Sequence, residues 1–181
     1  MKSSRKLYDL LELAEDEWSH STLDLPPLMN HAARYGNVAA VNAINSYMMY
    51  EDDLRLYAKP LKLAVKHNHP SCVDELVSWV LDREVMSAAM LAAGLGRLQA
   101  LEIIITDLDG RGLLNDDSLR GPLRLALKYY QQETFKFLID RFENVDGFVK
   151  MFLSSGHFDQ NALKALIEYA YTRTITRPDH L

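Results

Sequence analysis

Apolar residues recur at helical spacing along most of the chain. Residues 4–19 place Leu7, Leu10, Leu11 and Ala14 on one face, extended by Trp18, with acids at 12, 15, 16 and 17 on the other. This pattern predicts an amphipathic helix with Ser3 or Ser4 as its cap. Further stripes follow: Val38, Val41, Ile44 and Met48, then Leu98, Leu101, Ile104 and Ile105, then Thr134, Phe135, Leu138 and Ile139. Each has the three- and four-residue spacing of a helix that buries one side. Residues 161–172 close the series, with Leu163, Leu166, Ile167 and Ala170 predicted to face inward.

The stripes belong to a repeat. Residues 28–48, 60–80, 88–108 and 122–142 align on a pair of small or aliphatic residues: Ala32/Ala33, Ala64/Val65, Ala92/Ala93 and Ala126/Leu127. Residues 150–170 form a poorer fifth copy. A turn position follows each pair, at Gly36, Asn68, Gly96 and Tyr130, and at Gly156 in the fifth copy. Gly and Asn tolerate the left-handed backbone that ends a helix. The anchors are 32, 28, 34 and 26 residues apart in turn. Periods of this size mark stacked helix–turn–helix units, since one pair cannot hide its apolar face alone. Pro60 and Pro122 are read as start signals, because a proline in the first turn loses no hydrogen bond.

The segments PLKLAVKHN, PLRLALKYY and LMNHAARYGN, with MLAAGLGRLQALEIII, resemble ankyrin repeats over residues 25–142. That family's signature is Thr-Pro-Leu-His-x-Ala, followed by a Gly turn and an aliphatic second helix. No copy has the Thr. The segments 50–59, 83–85, 109–121 and 144–147 stand where the family has its glycine-rich hairpins. The resemblance implies an all-α, ankyrin-like helical-repeat solenoid with irregular linkers. It has four to five degenerate helix–turn–helix repeats and capping helices at both ends. The expected layout is a single domain: a cap over 1–24, repeats over 25–142, a last repeat or cap over 143–172 and a tail over 173–181.

The resemblance also implies a function, protein–protein recognition without chemistry of its own. In ankyrin-like stacks the two residues before the turn project from the concave side. Here they are Arg34 and Tyr35, Lys66 and His67, Gly94 and Leu95, and Lys128 and Tyr129. Three of the four pairs join a base to a ring, on a chain of net charge −5. Tyr and Arg are favoured at interface centres, so Arg34, Tyr35, Lys66, His67, Lys128 and Tyr129 are the candidate contacts. The expected partner is a protein with an acidic or phosphorylated segment, and the 50–59 and 109–121 linkers form the rim. The competing explanation is that helix ends favour Lys and Arg through the dipole. Short divergent repeat proteins also resemble effectors and regulators delivered into host cells.

Composition narrows the alternatives. An acidic balance, pI about 5.7, argues against a general nucleic-acid binder. One Cys excludes an internal disulfide framework and multi-Cys zinc sites. No apolar stretch has the length of a signal peptide core or a membrane span. The expected place is the cytoplasm, or a host cell reached without an N-terminal signal. No cofactor or metal motif is present.

An enzyme or regulatory subunit would need a site around Cys72, His67 and His69, with Cys72 as nucleophile or the histidines joined by Asp74 or Glu75 on a metal. In the repeat register Cys72 instead falls at a packing position. Asp107, Asp109, Asp116 and Asp117 lack the ligand order of a calcium loop and suit turns and caps. The run Glu51, Asp52 and Asp53 reads as a solvated loop. Self-association through Trp18, Tyr169 and Tyr171 is the third possibility.

Overall fold

A computed structural model describes residues 25–48, 54–154, 160 and 163–169. Their regular structure is helical, with no strand among the described residues. The helices are α1 (Leu25–Tyr35), α2 (Val38–Met48), α3 (Ala58–Lys66), α4 (Pro70–Val77), α5 (Asp82–Leu95), α6 (Leu98–Gly110), α7 (Asp116–Lys128), α8 (Gln132–Ile139) and α9 (Val145–Ser154). A 3₁₀ turn, Leu54–Tyr57, leads into α3, and residues 163–169 form a further helical stretch. The chain divides into two compact units between Ala88 and Ala89, inside α5.

Four turns share one construction, and it follows from the chemistry of helix ends. Gly36, Asn68, Gly96 and Tyr130 have φ of 71°, 61°, 67° and 56°. The left-handed residue reverses the chain, so the next N–H reaches back to the last turn of the first helix. Asn37 donates to the Ala32 carbonyl (2.9 Å), His69 to Ala64 (2.9 Å), Arg97 to Ala92 (2.9 Å) and Gln131 to Ala126 (2.8 Å). The tighter bond of the same motif runs from Asn68, Gly96 and Tyr130 to the carbonyls of Val65, Ala93 and Leu127. The residue after the left-handed one is a hinge, with φ, ψ of −112°, 76° at His69, −88°, 72° at Arg97 and −90°, 82° at Gln131. Its carbonyl starts the second helix, accepting from Val41, Val73, Leu101 and Phe135 in the four cases. The turn anchors expected from the repeat are therefore left-handed, and Gly112, at φ 69° after α6, is a further left-handed position that the repeat does not mark. Tyr130 holds its place despite a Cβ that costs about 1–2 kcal/mol there.

The core follows the expected stripes except at their starts, where Val38 and Leu98 are half-buried. All eight residues of the small pairs are buried, as are Val41, Ile44, Leu101, Ile104, Ile105, Thr134, Phe135, Leu138 and Ile139. Thr134 satisfies its hydroxyl by donating to the Gln131 carbonyl (3.0 Å). In the first unit α1 packs on α3 and α2 on α4, while in the second unit α8 packs on α6 and on α7.

Several expectations are corrected. Pro60 does lie in the first turn of α3, but Pro122 does not open a helix. It sits inside α7, which starts at Asp116. The cause is a capping box: the Asn115 side chain accepts from the Ser118 N–H (3.0 Å), and the Ser118 hydroxyl accepts from the Asn115 N–H (2.9 Å). The supposed linkers are mostly helix. Arg83, Glu84 and Val85 lie in α5, whose first turn carries Asp82 and Glu84, the charge that suits a helix N-terminus. Residues 109–121 shrink to a connector of 111–115, and Val145, Asp146 and Gly147 open α9, where the Asn144 side chain accepts from the Gly147 N–H (2.9 Å). Segment 50–59 already contains the 3₁₀ turn and the start of α3. Ile167 points outward, 60% exposed, because Ala165 and Leu166 bury the neighbouring face and Tyr169 follows them, its ring edge-on to Phe135. The N-terminal cap, Trp18, the Glu51–Asp53 run, Gly156, Asn161, Ala170, Tyr171 and the 173–181 tail lie outside the described residues.

Candidate functional site

The candidate contacts stand at equivalent points because each first helix ends at an equivalent point. Arg34 and Tyr35 are the last two residues of α1, and Lys66 and His67 end and cap α3. Lys128 and Tyr129 end and cap α7, while Gly94 and Leu95 end α5. Left-handed closure turns the chain away immediately afterwards. All six candidate side chains are exposed, Tyr35 at 65% and Tyr129 at 54%.

In the first unit four of the six come together, since α1 and α3 are neighbours. His69 joins these two helix ends. Its Nε2 lies 3.0 Å from the Arg34 carbonyl oxygen. A carbonyl only accepts, so Nε2 carries the proton. The ring rests against Gly36, where an added Cβ would stand 2.5 Å from Nδ1. Glycine at position 36 is favoured by its positive φ, which Asn68 and Tyr130 adopt at a cost, and required by this contact. The Tyr35 ring also meets His31, with centroids 4.5 Å apart.

The second unit repeats the device with different residues. Gln131 takes the hinge place of His69, and its side chain packs where a Cβ on Gly96 would be. Its amide donates to the Tyr129 carbonyl (3.1 Å). The Tyr129 ring lies over Gly94, with Cδ2 3.4 Å from the place of an added Cβ, and Lys128 Nζ is 5.3 Å from the ring centroid. Tyr129 therefore has one part of its ring seated on backbone and the rest open to solvent. From the sequence His69 reads as part of a solvated turn, with a base or a metal ligand as the sharper alternatives. The signal for its hinge role was its register, one residue past the turn anchor, shared with Gln131.

The other sites resolve into structural parts. Cys72 is fully buried in α4, and its thiol pKa is raised, by burial first and by the Glu75 carboxylate second. An activated nucleophile needs the opposite shift. Asp116 accepts from the Glu143 and Asn144 N–H groups at 2.8 and 3.0 Å, and Asp107 pairs with Arg111 at 2.7 Å. These carboxylates cap and brace, as turn chemistry favours. The Glu84 carboxyl is held below its ordinary value chiefly by the hydrogen bond from Lys62 at 2.7 Å. No helix of the described residues is long and apolar enough to cross a membrane. A scan against protein-family models and a search of the curated proteins found no match to this chain.

Proposed function

We propose that the chain is an ankyrin-like helical-repeat protein whose work is to hold a partner protein at the ends of its first helices. The observation that carries this reading is the threefold recurrence of an exposed base and ring immediately before a left-handed turn. Arg34 with Tyr35 and Lys66 with His67 form the contact in the first unit, and Lys128 with Tyr129 forms it in the second. Exposed tyrosines with part of the ring already immobilised bind at low entropic cost, and an adjacent cation adds charge recognition.

The test is affinity capture by the 181-residue chain beside its Tyr35→Ala/Tyr129→Ala variant. Proteins retained by the first are expected to bind the second at least about tenfold more weakly, the size of a centred tyrosine's contribution. A variant with unchanged helical circular dichroism and undiminished capture would overturn the reading.

A further inference from the structure

Helices α3 and α7 carry one seven-residue pattern, PLKLAVK at 60–66 and PLRLALK at 122–128. Four of its apolar members go inward on each helix, Pro60, Leu61, Ala64 and Val65 on α3 and Pro122, Leu123, Ala126 and Leu127 on α7, while Leu63 and Leu125 are half-buried. The outward positions are Lys62 and Lys66 on one helix and Arg124 and Lys128 on the other. Lys59 and Arg120 continue each row by one turn. Helix α3 has no carboxylate along its length, and those of α7, Asp116 and Asp117, stand in its first turn.

The helix dipole does not account for these rows. It draws cations to the last turn alone. Lys59 is the second residue of α3, at the positive end, and Arg120 and Arg124 lie ahead of the last turn of α7, where Lys128 is the basic residue. Along α7 the three cations follow at i, i+4 and i+8, a spacing at which like charges repel. Little offsets this repulsion. Arg120 meets the exposed Asp117 at 3.2 Å, Lys128 leans over Tyr129, and Arg124 has no ion pair among the described residues. On α3 the middle cation is already engaged, Lys62 Nζ being 2.7 Å from Glu84.

We propose that the exposed row Arg120, Arg124 and Lys128 docks a short acidic segment of a partner protein, bound extended along α7. The inference rests on the protein-binding reading and names the chemistry of what is bound. Successive cations are about 6 Å apart along the helix axis. An extended peptide brings alternate side chains to one side about every 6.6 Å, so carboxylates at alternate positions meet successive cations. Tyr129 ends the row and offers its open ring surface to a flanking side chain. The row is only about 12 Å long, and all charged residues of α6 are acidic (Glu102, Asp107 and Asp109). A short acidic peptide fits that limit, whereas a nucleic acid draws on many phosphate contacts. The row on α3 is the weaker copy, since Glu84 occupies Lys62.

The experiment is fluorescence anisotropy with the full 181-residue chain and three labelled probes. These are a nonapeptide with glutamate at alternate positions, its glutamine counterpart and a short oligouridylate. The glutamate peptide is expected to bind at least about tenfold tighter than the glutamine one and to weaken with salt. Arg124→Gln/Lys128→Gln should weaken it about tenfold or more, Lys62→Gln/Lys66→Gln about threefold or less, and Arg124→Lys/Lys128→Arg should retain binding. Equal binding of the two peptides, an α7 variant equal to the unaltered chain, or tighter binding of the oligouridylate overturns the proposal. Failure of the glutamate peptide to bind does so too. If Tyr35→Ala/Tyr129→Ala still abolishes partner capture in that case, the protein-binding reading stands and only the acidic class falls.

Discussion

Helices α3 and α7 bury the same pattern but begin at different distances before it. Helix α3 starts at Ala58, two residues ahead of Pro60, and α7 starts at Asp116, six ahead of Pro122. The residue before α3 is Tyr57, nearly fully buried and already in a helical conformation at φ −87°, ψ −17°, with no side-chain cap. The residue before α7 is Asn115, extended at φ −159°, ψ 175°, and closed by its capping box with Ser118. Proline is therefore indifferent in one helix and costly in the other. In the first turn its missing N–H has no partner to lose. Inside α7 it forfeits the bond to the Ser118 carbonyl and crowds it. The inward face of a repeat is set by its apolar pattern, and where its helix begins is set by the residues upstream.

The equivalence of the inward faces is the part to challenge first. Leu61 and Leu123 are both fully buried at matching positions. Replacing either with Ala is expected to cost about 2–5 kcal/mol in urea unfolding. A loss confined to one of them would break the equivalence. The prolines should then separate the helices by sign. Pro122→Ala restores a backbone bond and is expected to stabilise by about 1 kcal/mol, net of lost ring contacts. Pro60→Ala restores none and is expected to destabilise by about 1 kcal/mol. Thermal melts showing the same sign for both would remove the distinction drawn from helix starts.

The smallest effect concerns the outward faces. Glu84→Gln is expected to cost a few tenths of a kcal/mol at neutral pH, because Lys62 is part-exposed and screened. The Glu84 carboxyl is depressed below its ordinary 4.5, so the folded state binds fewer protons than the unfolded one. Its contribution is whole above that ordinary value and is lost as the pH falls through the depressed one. The gap between Glu84→Gln and the unaltered chain should close in acid. Unfolding curves from pH 7 to pH 3 in which it stays constant would show that the Lys62 pair adds nothing.

The repeat made much of this architecture legible in advance. The small pairs, the second-helix stripes and the four left-handed anchors were all readable, because backbone geometry and burial act at fixed offsets. Tyr130 was readable only through its register, since nothing in tyrosine itself favours a positive φ. The helix starts were not readable from proline alone. Asn115 and Ser118 look like loop residues until their reciprocal bonds are seen. Asp82 and Glu84 are acids whose value lies in the dipole they face. The hinge role of His69 was hidden because the Arg34 carbonyl it contacts lies 35 residues away. The outward rows of α3 and α7 leave no mark in the repeat register, which is carried by buried positions and turns.

The four left-handed turns also fix where the chain can change length. One residue inserted between Ala32 and Val41, or at the matching place in the other turns, would rotate the second helix by about 100° against the first. Its buried stripe would then face solvent. The unequal anchor spacings of 32, 28 and 34 must accordingly be absorbed beyond that core, chiefly in how far each second helix runs: α4 has 8 residues and α6 has 13, while the connectors 78–81 and 111–115 are nearly equal. Each helix pair is a unit of fixed rotational phase, and the far end of its second helix carries most of the drift in length from one repeat to the next.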